Sequence, residues 1–192
     1  VSQLKNKVIF KMKQRVLLAM SGGVDSSVAA KLLLNQGYEV VGLTLKVWSY
    51  ESTYFGKQGK KSDSDYISKA KNLAHQLQIE HHLIDIQDQF HTHIIEPFIQ
   101  EYFQGRTPNP CVMCNPTMKF NTFAQMADQL NCDFIATGHY VNKIFENGRF
   151  VITQGKDEKK DQSYVLWKLD QEILKKSLFP LGNFQKDEIK EL

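Results

Sequence analysis

Apolar and polar positions along the chain alternate between two kinds of pattern. Short apolar runs at 15–20, 39–45, 82–86 and 133–138 predict buried strands. Helical periodicity follows the first run at 28–34 and recurs at 66–77 and 89–103. Strands that alternate with helices indicate an α/β fold, a doubly wound parallel sheet with flanking helices. Ligands of such sheets bind at the carboxyl ends of the strands.

The run Ser-Gly-Gly-Val-Asp-Ser-Ser at 21–27 connects the first predicted strand to the first helix. Its glycines permit a tight turn and close approach of a phosphate group. The free N–H groups of the first helical turn then face that phosphate. The serine hydroxyls add donors, and Asp25 is a candidate ligand for Mg²⁺. The run lacks the lysine of a Walker A loop, and an ordinary glycine turn is the alternative interpretation.

A second segment, Gly-Arg-Thr-Pro-Asn-Pro-Cys-Val-Met-Cys-Asn-Pro at 105–116, contains two cysteines. Asn115 followed by Pro116 predicts a helix start, with asparagine as the N-cap. Cys114 then lies just outside the positive end of that helix, a position that favours the nucleophilic thiolate. Arg106 and Lys119 add positive charge. Half a zinc site, two ligands of an iron–sulfur cluster and simple burial are the alternatives.

Composition bounds these hypotheses without choosing among them. The chain has 192 residues, 42% of them hydrophobic and 23% charged, as in a soluble globular protein. No apolar run is long enough to span a membrane and no signal-peptide pattern opens the chain, so we expect no membrane association and a cytoplasmic location. Three cysteines, an odd number, argue against a disulfide framework. The net charge of +3 permits nucleic-acid binding without predicting it.

The run at 21–27 resembles the signature of the PP-loop ATP pyrophosphatases, which cleave ATP between the α and β phosphates. Further blocks occur in the order found in one member group, the tRNA-specific 2-thiouridylase family. They are Thr-Pro-Asn-Pro at 107–110, Cys-Asn at 114–115, Lys-Phe at 119–120, Ala-Thr-Gly-His-Tyr at 136–140, Lys-Asp-Gln-Ser-Tyr at 160–164 and Phe-Pro-Leu-Gly at 179–182. The resemblance covers the chain from Arg15 to its end.

This resemblance implies an adenine-nucleotide α-hydrolase-like PP-loop domain that adenylates O2 of a tRNA wobble uridine. Sulfur from a persulfide donor protein would then displace AMP and give 2-thiouridine. ATP with Mg²⁺ would be held by Ala19, Met20, Ser21, Gly22, Gly23, Val24, Asp25, Ser26, Leu45 and Gly138, with Asp25 on the metal. The target base would meet Asn109, Pro110 and Cys111, tRNA would meet Lys160, Asp161 and Gln162, and Cys114 would be the nucleophile supported by Cys111.

Two departures from the family pattern affect these implications. Many members have aspartate where this chain has Cys111, and a cysteine pair favours an iron–sulfur variant. In the family, the second catalytic cysteine follows the segment that matches 179–182. The sequence given ends before the corresponding position. We expect a leader or disordered segment at 1–14, the PP-loop domain at 15–155, and the end of that domain with the start of a truncated one at 156–192.

Other functions remain open at this point. They are a tRNA 2-thiocytidine synthetase, a ligase like GMP or NAD synthetase, and a nucleotide-binding module without catalysis. Among single residues, we predict a mobile loop at 49–64, burial for Cys132, and core positions for Trp48 and Trp167. His139 lies either near the nucleotide or in a packing position, and the histidines at 81, 82, 91 and 93 are interpreted as surface residues.

Overall fold

The computed structural model describes residues 13–48 and 64–192. The predicted leader at 1–14 and the predicted loop at 49–64 therefore lie almost entirely outside the described residues. The strands are β1 (Arg15–Ala19), β2 (Glu39–Lys46), β3 (Glu80–Asp85), β4 (Phe134–Ala136), β5 (Val141–Glu146), β6 (Arg149–Gln154) and β7 (Ser177–Leu178).

Helices cover most of the remaining chain. They are α1 (Val24–Asn35), α2 (Ser64–Leu77), α3 (Gln87–Phe90), α4 (Glu96–Phe103), α5 (Pro110–Cys114), α6 (Phe120–Gln129), α7 (Gln171–Lys176) and α8 (Lys186–Glu191). Two π-helical segments, His91–Ile95 and Asn115–Lys119, join α3 to α4 and α5 to α6. The helix predicted at 89–103 is therefore present, with a π-turn inside it.

Five strands form one sheet in the order β3-β2-β1-β4-β7, and every neighbouring pair is parallel. This confirms the predicted doubly wound parallel sheet with flanking helices. The chain first extends the sheet from β1 toward β3 and then restarts on the other side of β1 with β4. Ligand crevices form where the strand order reverses in this way, so the site is expected outside the ends of β1 and β4.

The central strand β1 is buried on both faces. Val16 and Leu18 pack with α1, α2 and α8 on one face, while Leu17 faces the opposite cluster around Phe120 and Ile135. All three side chains of 16–18 are fully buried. Since side chains alternate between the two faces of a strand, a strand covered on both faces must be apolar throughout.

The strands β5 and β6 form a separate antiparallel hairpin that sequence analysis did not predict. Its turn is Asn147-Gly148, with φ values of 50° and 77°. Asparagine and glycine are the residues that tolerate positive φ at both central positions of a two-residue hairpin turn. After the hairpin the chain returns to the main sheet with β7, and Ile189 of α8 joins the core on α1.

Within the described residues, no helix has both the length and the apolar character needed to cross a bilayer.

Candidate functional site

A cavity of about 370 Å³ opens at the carboxyl ends of β1, β2 and β4. This volume lies in the range of small-ligand sites. Seven of the ten residues predicted to bind a nucleotide line it, although they are far apart in sequence: Ala19, Met20, Ser21, Asp25, Ser26, Leu45 and Gly138. The parallel sheet brings them together because it places every strand end at one edge.

The remaining three, Gly22, Gly23 and Val24, are not among the lining residues. Gly22 has φ +70°, and a Cβ there would lie 2.6 Å from the Lys69 Cβ. Gly23 is the N-cap of α1 and has an extended backbone, and Val24 is 52% exposed. Gly22 thus lets the loop turn tightly against α2.

Serine hydroxyls fix the loop from inside. The buried Ser26 donates its hydroxyl to the Gly23 carbonyl oxygen at 2.9 Å, and Ser27 does the same at 2.9 Å. Ser21 is exposed at the cavity. No side chain caps the start of α1, so its first N–H groups are free to bind an anion.

Asp25 lies in the first turn of α1 and is held by two partners. Its Oδ1 accepts a hydrogen bond from the Tyr140 hydroxyl at 2.7 Å and an ion pair from the Lys186 Nζ at 2.5 Å. Desolvation by burial, with the Asp25 carboxylate second, raises the pKa of Tyr140, so its hydroxyl stays protonated and donates. Both partners contact the same carboxylate oxygen of Asp25.

The donor set at Asp25 fits Mg²⁺ bound together with phosphates. The described residues contain no group of three or more histidine, cysteine, aspartate or glutamate side chains placed to hold a metal. Mg²⁺ commonly binds through one or two carboxylates and completes its shell with substrate phosphates and water. Asp25 would serve as that carboxylate.

The end of β4 also lines the cavity. A Cβ added to Gly138 would lie 3.4 Å from the Cβ of Asp25, so this end of β4 lies directly against the first turn of α1. His139 is half-buried at the cavity, and its Nδ1 lies 2.8 Å from the Thr137 hydroxyl. Desolvation, helped by the Lys119 charge, lowers the pKa of His139 to about 4. The imidazole is therefore neutral near pH 7, and it lines the cavity while its ring lies 6.2 Å from that of Phe120.

The predicted helix start at Asn115 is wrong. Asn109 is the N-cap instead, since its side chain accepts a hydrogen bond from the Cys111 N–H at 3.2 Å, and Pro110 is the first helical residue. Both asparagine–proline pairs carry the same capping signal. The second pair lies within the helical segment because the π-turn at Asn115–Lys119 accommodates Pro116.

The helix start at Asn109 places Cys111, and not Cys114, in the first helical turn. Cys111 is exposed in the first turn of α5, whereas Cys114 is 4% exposed in an apolar cluster with Ile86, Ile94 and Met118. Burial raises the pKa of the Cys114 thiol, and the charge of Lys119 opposes that rise. The predicted stabilisation of a Cys114 thiolate by a helix N-terminus is therefore wrong in this conformation.

Two residues beyond the cysteine pair line the same cavity as the glycine loop. Asn115 is 2% exposed, and its Nδ2 donates to the Val165 carbonyl oxygen at 3.4 Å. Its Oδ1 has no hydrogen-bond partner among the described residues. Lys119 also lines the cavity, while Arg106 is held by Glu101 at 2.5 Å. Sequence analysis missed Asn115 as a cavity residue because a π-turn leaves no recognised pattern.

The residues predicted to contact tRNA are divided. Lys160 is exposed, and Asp161 accepts hydrogen bonds from Ser163 within a local turn. Gln162 reaches the cavity, and its Oε1 accepts a hydrogen bond from the Tyr140 N–H at 2.9 Å. The structure thus places these residues from the surface to the rim of the cavity.

Predictions for four other residues have mixed outcomes. Cys132 is buried, as predicted. The predicted core positions for the tryptophans are wrong, since Trp48 is 38% and Trp167 64% exposed. His81 is half-buried rather than on the surface, with its Nε2 at 2.9 Å from the Thr44 hydroxyl.

Comparison with known proteins identifies a family and several relatives of this chain. The family model described as tRNA methyl transferase HUP domain matches residues 14–192. A tRNA-specific 2-thiouridylase from Amoebophilus asiaticus is 50% identical over 185 residues, which cover 94% of this chain and 48% of the relative. One from Cytophaga hutchinsonii is 49% identical, covering 93% of this chain and 49% of the relative. The chain spans about half the length of the curated relatives it matches.

Solved structures support the fold. The U34-tRNA thiolase NcsA from Methanococcus maripaludis, solved with its 4Fe-4S cluster, has a TM-score of 0.56 at 20% identity over 96% of this chain and 58% of its own. A protein from Methanocaldococcus jannaschii described as a predicted subunit of tRNA methyltransferase has a TM-score of 0.54 at 17% identity, over 93% of this chain and 73% of its own. At these identities the likeness shows the fold alone.

Proposed function

Because this chain belongs to the tRNA methyl transferase HUP domain family, that of the tRNA-specific 2-thiouridylases, we propose that it forms the ATP-binding part of a tRNA-uridine 2-sulfurtransferase. The reaction is adenylation of a wobble uridine at O2, with release of pyrophosphate, followed by displacement of AMP by sulfur. The relatives named above are described as tRNA-specific 2-thiouridylases, so a tRNA 2-thiocytidine synthetase, a GMP or NAD synthetase-like ligase or a non-catalytic module is not favoured.

One observation carries the proposal: a single cavity is lined by the glycine loop and by the residues that follow the second cysteine. Ser21, Asp25 and Ser26 lie on one wall, and Asn115 and Lys119 lie on the other. An enzyme that adenylates O2 of a base and then delivers sulfur to C2, the carbon that carries this oxygen, needs the nucleotide and the thiols on adjoining walls. Ordinary ATP binding would need only the first wall.

Different residues of the chain would bind the phosphates, the Mg²⁺ ion and the adenosine of ATP. The uncapped start of α1 and the exposed Ser21 hydroxyl would hold the phosphates. Asp25 would hold Mg²⁺, which would neutralise phosphate charge when bound. Leu45 and Gly138, at the ends of β2 and β4, would face the adenosine.

Two routes for the sulfur involve the cysteine pair. In one, a donor protein loads sulfur as a persulfide on the family's second catalytic cysteine, the position after 179–182, and that persulfide attacks the base. The Cys114 thiolate then attacks the inner sulfur, which frees the 2-thio group and leaves a disulfide between the two cysteines for a thiol reductant to open. In the other, Cys111 and Cys114 are two ligands of an iron–sulfur cluster. The described residues contain no third ligand close to both, so the cluster would need a ligand from outside these ranges.

We propose that tRNA binds at the exposed start of α5. Asn109, Pro110 and Cys111 would meet the target base, and the exposed Lys160 would meet the backbone with Asp161 and Gln162 positioned behind it. We also propose a cytoplasmic location. The domain boundary at 155 remains a proposal, although β7 and α8 pack into the same sheet and core.

The proposed function is tested by tRNA analysis in cells that lack the gene for this protein. We expect 2-thiouridine to disappear from the wobble position and to return on complementation. Purified enzyme incubated with substrate tRNA and ATP should release AMP and pyrophosphate. Formation of ADP and orthophosphate would rule out adenylation, and unchanged wobble thiolation would rule out the assignment to tRNA.

A further inference from the structure

Lys119 differs from every other half-buried lysine in the described part of the chain. It has no ion-pair or hydrogen-bond partner there, whereas each of the others does. The partnered lysines are Lys46 with Asp85, Lys143 with the carbonyls of Leu174 and Ser177, Lys176 with Asp128, and Lys186 with Asp25. A partly desolvated ammonium without a counter-charge is costly. Such a cation indicates that an anion binds beside it.

The position of Lys119 indicates where that anion lies. It is the last residue of the π-helical segment, and it lines the cavity together with Ser21 and Gly138. Its charge also acts on the thiol of Cys114 and on the ring of His139, lowering the pKa of each. The ammonium group is therefore near the boundary between the nucleotide cavity and the buried thiol.

Asn115 supplies a second, independent sign of a ligand at this wall. Its carbonyl oxygen is buried without a partner among the described residues, and buried polar atoms in native proteins are nearly always hydrogen-bonded. Asn115 precedes Lys119 by one π-turn on the same cavity wall. A ligand that brings an N–H donor and an anion together would satisfy both side chains.

We propose that Lys119 is a catalytic residue that contacts the α-phosphate of the nucleotide and stabilises AMP as it leaves. This assignment rests on the proposed function. Of the three phosphates, only the α-phosphate becomes joined to the base that sulfur then attacks. A cation between the nucleotide cavity and the cysteine segment therefore lies closest to that phosphate.

The charges develop in two steps. Uracil O2 attacks the α-phosphorus, the bond to the bridging oxygen breaks, and pyrophosphate leaves with that electron pair while the N3 proton goes to solvent. On the persulfide route, the outer sulfur of the persulfide then attacks C2, the C2–O2 bond breaks, and AMP leaves with O2 and its electron pair. The Cys114 thiolate attacks the inner sulfur, so that the S–S bond breaks, the 2-thio group is freed, and a disulfide remains for a thiol reductant to open. Lys119 donates a charge-assisted hydrogen bond to the phosphate oxygens, which strengthens as AMP gains negative charge.

Nucleotide binding by this chain tests the assignment without requiring turnover. AMP and adenosine are titrated by calorimetry into the wild type, Lys119→Met, Lys119→Arg and the control Lys175→Met, which replaces an exposed lysine of α7. A hydrogen bond to a charged group contributes roughly 1.5–3 kcal/mol, so Lys119→Met should weaken AMP roughly ten- to a hundredfold. Adenosine affinity should not change, Lys119→Arg should retain most AMP affinity, and Lys175→Met should match the wild type.

Other outcomes overturn the assignment in distinguishable ways. Unchanged AMP affinity in Lys119→Met would show that the lysine does not contact phosphate, and a loss confined to tRNA affinity would place it on the RNA surface. An equal loss for AMP and adenosine would indicate a structural role. A wild-type chain that binds neither compound would refute the nucleotide site itself, and with it the proposed function.

Discussion

The two walls of the cavity differ in how far their polar groups are satisfied. On the glycine-loop wall, Asp25 has two partners, the Ser26 hydroxyl is hydrogen-bonded, and Gly22 is packed against α2. On the second wall, formed by the segment that follows Cys114, the Lys119 ammonium and the Asn115 Oδ1 have no partner among the described residues. The first wall is thus preorganised by the protein, and the second is left for the substrate to complete. Changes to the packed residues of the first wall should therefore lower stability as well as nucleotide binding, whereas changes on the second should mainly affect binding and chemistry.

The strongest test of this difference is Gly22→Ala. An alanine at φ +70° costs roughly 1–2 kcal/mol, and its Cβ would also lie 2.8 Å from the backbone of Tyr66 and Ala70, which adds roughly 1–3 kcal/mol of overpacking. The free energy of unfolding should fall by roughly 2–5 kcal/mol in urea denaturation. Gly37→Ala is the matched control, because Gly37 has φ +90° but open space around it. Equal losses in the two variants would show that the loop is not tightly packed.

His139, at the end of β4, allows the exclusion of water from the cavity to be tested through the pH dependence of the free energy of unfolding. Its folded-state pKa of about 4 lies below the ordinary histidine value of 6.5, so between these pH values the unfolded chain binds a proton at His139 that the folded chain does not. The stability contribution is complete above pH 6.5 and is lost as pH falls toward 4, by about 2 kcal/mol at pH 5. His139→Gln should remove that part of the pH dependence, whereas His93→Gln, at an exposed position, should not. The measurement is the free energy of unfolding of the wild type and both variants, determined at pH 7.5 and at pH 5.

The cysteines should separate stability from chemistry within the second wall. Cys114→Ser buries a hydroxyl in an apolar cluster and should cost roughly 1–3 kcal/mol, while Cys111→Ser at an exposed site should stay within about 0.5 kcal/mol. Because burial raises the pKa of Cys114, its alkylation should rise only at pH above the ordinary thiol range. Peptide mass analysis after iodoacetamide treatment should find Cys111 modified first. Faster labelling of Cys114 near pH 7 would contradict the buried placement.

The smallest effect is expected at the ion pair between Lys186 and Asp25, whose side chains are 27% and 38% exposed. Solvent screening limits such a pair to about 1 kcal/mol or less, so a double-mutant cycle of Lys186→Met and Asp25→Asn should give a coupling in that range. The exposed pair Lys190 and Asp187 should couple less. No coupling at all between Lys186 and Asp25 would mean that the first wall is less organised than its contacts indicate.

The first wall could be predicted from sequence and the second could not. An apolar run that ends in glycines predicts a buried parallel strand followed by a turn, so the strand, turn and helix start within residues 15–27 were predicted correctly. The helix start at Asn115 was wrong because two identical capping signals lie six residues apart, and only the tertiary packing of Phe120 and Met118 selects between them. Strand β7 has two residues, too few for any periodicity. The Asn147-Gly148 hairpin carried a usable signal that was overlooked.

The π-turn at Asn115–Lys119 also limits how this segment tolerates insertions and deletions. Each residue advances an α-helix by about 100°, so removal of one residue would turn the whole of α6 by that angle. Phe120, Phe123 and Ala127 would leave the sheet, and Lys119 would leave the cavity. Sequence alignments of this family should therefore be free of single-residue gaps between the second cysteine and the lysine, and natural variation there should consist of substitutions alone.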